Sequence, residues 1–122
     1  MITNNPRVYG EYKGRFPVEY HEGAGQEEIL RMARDAIHLG AKLLLHPMMG
    51  RIRPNETPYK SVLLDLDAQK TSFLSVQIIE DSIAQTDKLL NHAQQKTYSD
   101  SILVDLQYLD LQLLASGLAE LR

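Results

Sequence analysis

The chain contains no cysteine. That absence removes disulfides, thiolate nucleophiles, cysteine-ligated zinc and iron–sulfur clusters, and with them direct thiol redox chemistry. A Ser-His-Asp pattern, a Gly-rich phosphate loop and a dinucleotide fingerprint are missing too, so no motif announces a reaction and no cofactor is expected. Four histidines without paired spacing make a poor metal signal, and no metal site is expected. No uninterrupted apolar run approaches the roughly 18 to 20 residues that span a bilayer. The first six residues carry no cationic stretch followed by a hydrophobic one, so nothing directs secretion. The expectation is a cytoplasmic protein with no membrane partner.

What is present suits one globular domain. At 122 residues the chain can build a single core but not two, and 43% hydrophobic with 24% charged residues is ordinary for such a core. The net charge of -3 conceals an asymmetry: residues 1–60 hold nine Lys/Arg against seven Asp/Glu, residues 61–122 four against nine. Duplex binding needs a basic stripe dense enough to neutralise several phosphates, and an acidic helical half opposes it. Nucleic acid is therefore not an expected partner.

Periodicity alternates along the chain. Residues 18–21 alternate apolar and polar after Pro17, as a short strand does, with Val18 and Tyr20 on one face. Residues 26–39 place Ile29, Met32, Ala33, Ala36 and Ile37 at helical spacing, with Glu27 and Glu28 in the first turn, His38 in the last and Gly40 as the stop. Residues 42–46 form a short apolar run into His46-Pro47. Strand, helix and strand predict a βαβ unit with the two strands parallel in one sheet. Residues 61–67 predict a further strand of open direction. Ile2 and Thr3 can end a short strand before Asn4-Asn5-Pro6, and residues 7–16 read as loop. Ser72 is the expected N-cap of a helix reaching about residue 95, and Thr97 with Asp100 resembles a capping box opening a last helix over residues 98–121. The expected fold is α/β: a small mixed, mostly parallel sheet of three to four strands with a βαβ unit and two long C-terminal helices.

The last helix spreads Leu103, Leu106, Leu109, Leu111, Leu113, Leu114 and Leu118 over more than one face. Packing on the preceding helix would bury one stripe, so a homodimer through the last helix is expected, with Leu111 facing outward.

Residues 46–61 obey neither period. They hold three of the five prolines and concentrate cations beside His46, Asn55 and Glu56. Long ordered loops in small domains are usually functional, and proline fixes backbone angles enough to hold one rigid. Arg51, Arg53 and Lys60 offer donors to a carboxylate or phosphate, so a small anionic ligand is the expected occupant. Beyond the carboxyl ends of the strands the same rim would carry Asn4, Asn5 and His46. The candidate ligand residues are Asn4, Asn5, His46, Arg51, Arg53, Asn55, Glu56 and Lys60; if proton transfer occurs, His46 and Glu56 are its candidate carriers. Each has a structural alternative. His46 can cap a strand, Arg51 and Arg53 can be solvated or pair with Glu56, and Asn55 and Thr57 are common turn residues.

Thr3-Asn4-Asn5-Pro6, a strand ending in His46-Pro47, and Arg53-Pro54-Asn55-Glu56-Thr57-Pro58-Tyr59-Lys60-Ser61 leading into a strand together resemble the GrdX family. The resemblance implies a small accessory protein encoded with the glycine, sarcosine or betaine reductase complex, and implies no mechanism. Two functions fit the residues: a non-enzymatic accessory protein binding a small anionic ligand or a partner through residues 46–60, or a small enzyme on a carboxylate or phosphate substrate with His46 and Glu56 as proton carriers. A third role for the loop is an internal brace, with partner contacts on the acidic helices.

Overall fold

A computed structural model describes residues 1–48, 53–67, 72–92 and 97–121. In chain order the elements are β1 (Ile2–Thr3), α1 (Pro6–Tyr12), β2 (Glu19–Tyr20), α2 (Gln26–His38), β3 (Lys42–Leu43), a 3-10 turn (Pro54–Glu56), β4 (Ser61–Val62), β5 (Leu64–Asp65), α3 (Phe73–His92) and α4 (Asp100–Glu120). The α/β class, the first short strand and the two long C-terminal helices are as expected from the sequence. The sheet is not. β1 lies between β2, to which it is parallel, and β4, to which it is antiparallel; β3 pairs antiparallel with β5 in a separate ladder.

The expected parallel pairing of residues 18–21 with 42–46 is therefore corrected. The unit with a helix between adjacent parallel strands begins one strand earlier, as β1, α1 and β2. Residues 7–16 are not simply loop, since α1 fills more than half of them: Asn5 Oδ1 accepts from the Arg7 N–H at 3.0 Å as N-cap, and Pro6 occupies the first turn. The strand expected at 61–67 is split. Leu63 interrupts it, so that β4 serves one ladder and β5 the other.

Alternation along these short strands assigns two cores. Ile2, Val62 and Leu64 turn to one face and meet Ile29, Leu30, Ala33 and Ile37 of α2 with Ile79 and Ile83 of α3. Met1 and Leu63 turn to the other and meet Val8 and Tyr12 of α1 with Leu114 of α4. The layers are α2 and α3, sheet, then α1 and α4. Each fully buried Ile or Leu contributes about 1.5–3 kcal/mol, so α2, with three such residues at 0% exposure, is the best-anchored helix. It ends as its sequence predicts. Gly40 takes a φ of +111°, and the Gly40 and Ala41 N–H groups close onto the Ile37 and Ala36 carbonyls.

Ser72 caps α3 by accepting from the Ser75 N–H at 3.1 Å, while the expected end near residue 95 lies outside the described residues. The cap of α4 is Ser99 rather than Thr97, because Ser99 Oγ accepts from the Ile102 N–H. α4 packs on α1 across the sheet from α3, not antiparallel to α3 as its position in the chain suggests. This also turns Leu111 inward, onto the Val8, Tyr12 and Leu114 cluster, where an outward side chain is expected from the pattern. Ile102 and Leu109, at 47% and 38% exposure, share the free side. By length and composition α4 could cross a membrane, which the absence of an unbroken apolar run does not reveal. Its Asp105 and Asp110 would each cost about 2.5–3.5 kcal/mol near a bilayer centre, and Asp110 is bonded into the domain.

Candidate functional site

The two rims of the β1–β2 pair differ in chemistry. The rim at the strand starts, with Met1, Pro17, Leu64 and Leu66, carries two broad apolar depressions of about 460 and 430 Å³. The rim at the strand ends collects the polar side chains of the chain's first half, as the direction of parallel strands dictates. Asn4 and Asn5 follow β1 there, and residues 21–25 lead from β2 into α2.

Asn4 is the fastener of this rim. Its Nδ2 donates to the Ala24 and Pro58 carbonyls at 2.8 and 2.9 Å, and its Oδ1 accepts from the Lys60 N–H at 2.8 Å. Asn5 fastens the opposite side: beyond capping α1, its Nδ2 donates to the Gln107 carbonyl and to Asp110 Oδ2 at 2.9 and 3.0 Å. Asp110 also accepts from Ser61 Oγ at 2.8 Å, and Ser61 lies 2.7 Å from Thr3 Oγ1. The Lys60 ammonium points inward and donates to the Pro47 carbonyl at 2.7 Å. Its burial pushes the Lys60 pKa down, an effect the Asp110 carboxylate partly offsets. Lys60, Ser61 and Asp110 enclose a space of about 30 Å³, room for a water or two and not for a metabolite.

A larger cleft of about 290 Å³ opens between the start of α2 and the 3-10 turn. Residues 23–27 form one wall, and Pro54, Asn55, Thr57 and Pro58 the other, with Leu90 and Tyr98 at the end. Gln26, 3% exposed, is its floor. The Gln26 amide nitrogen donates to the Pro54 and Thr57 carbonyls, which fixes the proline-rich wall and leaves Gln26 Oε1 buried without a partner. Asn55 Oδ1 is likewise buried and unpartnered, while its carbonyl accepts from the Tyr98 hydroxyl at 3.3 Å. Among the described residues, Glu27 is the one charged member of the lining. Its carboxylate lies over Gly25, where a Cβ would stand 2.5 Å from Oε1. A second depression, of about 360 Å³, adjoins across Gly23, Ala24 and Pro58 and adds Glu22.

Of the residues singled out in the sequence, Asn55 lines the cleft, Asn4 and Lys60 are bonded to each other beside it, and Asn5 is a buried structural hub. His46 is exposed and its Nδ1 accepts from the Met48 N–H at 3.1 Å, the local capping role weighed for it. Arg53 and Glu56 are exposed and outside the lining, and Arg51 lies outside the described residues. Among the described residues, His46 and Glu56 share no hydrogen bond, and no group of three or more His, Asp or Glu could hold a metal ion. Gln26, Glu27, Ser61 and Asp110 were not distinguished by sequence. The signal for Gln26 was the unsatisfied carbonyls of a proline-rich wall, which require a buried donor; for Asp110 it was one carboxylate set among leucines.

A family model described as GrdX-like protein matches residues 1–119. No curated protein and no solved structure shows significant similarity to the chain.

Proposed function

The chain belongs to the GrdX-like family over residues 1–119, and from that membership we propose that it is a non-enzymatic, cytoplasmic accessory protein of the glycine reductase system that recognises a small ligand or a partner at the cleft between α2 and residues 54–60. The observation that carries the binding role is the cleft's construction. Asn4 and Gln26 spend four side-chain hydrogen bonds holding the Pro54, Thr57, Pro58 and Lys60 backbone in place, while two buried acceptor oxygens at the same wall stay unpartnered. Proline-stiffened backbone clamped in this way loses little entropy when it binds.

Of the cationic clamp expected from Arg51, Arg53 and Lys60, the Lys60 ammonium is engaged by Pro47 and Arg53 stands clear of the lining, while Arg51 lies outside the described residues. A homodimer through α4 belongs to the same proposal, with Ile102 and Leu109 as its contact side chains.

Sedimentation of the purified chain with purified glycine reductase components is the direct test. The wild type is expected to co-sediment with one of them, and Asn55→Arg, which puts a large side chain into the cleft from its half-buried turn, should weaken the complex at least about tenfold, a loss of about 1.4 kcal/mol. The enzyme alternative has its own readout in a screen with acyl phosphates, glycine derivatives and nucleotides. Turnover abolished by His46→Gln or Glu56→Gln, in variants of unchanged stability, would replace the accessory reading.

A further inference from the structure

We draw no further inference here: the strongest candidate, the pair of apolar depressions around Met1, Pro17, Leu64 and Leu66 at the rim of the strand starts, is an open apolar surface among the described residues, and nothing in the structure shows what covers it.

Discussion

Lys60 is the residue where burial and charge conflict most sharply. Its ammonium is enclosed and bonded to a carbonyl, with Asp110 as the nearby compensating charge, and the net effect is a lowered pKa. A base whose folded pKa falls below its unfolded value binds fewer protons when folded, so the protein gains stability as pH rises through the folded pKa towards 10.5. Below the folded pKa the full cost of burying the charge applies. Lys60→Met removes the titration, so the stability difference between wild type and variant, measured by urea unfolding at neutral pH and near pH 10, should move in favour of the wild type at the higher pH. Parallel stabilities across that range would show that the ammonium is not desolvated. Lys60 was legible in the sequence as an important cation and illegible as a buried one, because what encloses it, Asp110 and Pro47, comes from 50 residues ahead and 13 behind. Asn4 and Asn5 were singled out by their place at a strand end and turn out to spend their amides on backbone and on Asp110. Polar residues at a strand end mark a place; long-range partners decide whether they face a ligand or hold a wall.

Among the elements, α2 was fully legible, since its amphipathic spacing, end charges and glycine stop all agree locally. α1 was not, although Asn5 before Pro6 is an N-cap followed by a first-turn proline, and Val8 with Tyr12 gives the four-residue spacing of a buried face. Two turns of helix offer too short a period to stand out from a loop. Strand pairing was wrong for a different reason: strands of two residues carry almost no pattern, and the pairing is set by which helix covers which face. α4 makes the consequence measurable. Leu111 sits in the α1 core and Leu109 on the free side, so Leu111→Glu should destabilise the fold by about 2–3 kcal/mol in chemical denaturation, whereas Leu109→Glu should stay within about 0.5 kcal/mol of the wild-type monomer. If α4 forms the proposed two-fold interface, light scattering should show Leu109→Glu reduced to a monomer. A wild type that is itself a strict monomer at micromolar concentration would remove the dimer from the account.

At the scale of the molecule, the sheet separates two tasks. Its α2–α3 face supplies the larger apolar core, and its α1–α4 face carries Thr3, Asn5, Ser61 and Asp110, a buried polar network that ties three segments distant in sequence. At the strand ends both faces meet the proline-rich wall, which the network and Gln26 hold against α2. The cleft is thus a product of the whole fold rather than of the loop that first draws attention, and this is why its residues include Gln26 and Glu27 from a helix that reads, by sequence, as purely structural. The competing account makes the loop of residues 46–60 a brace and puts partner contacts on the acidic helices. Hydrogen exchange of the chain with and without purified glycine reductase components separates the two most directly. The cleft account predicts slowed exchange in residues 23–27 and 55–60 on complex formation, with residues 73–86, away from the cleft, unchanged. Protection confined to α3 and α4, with the two cleft walls exchanging as in the free protein, would contradict it.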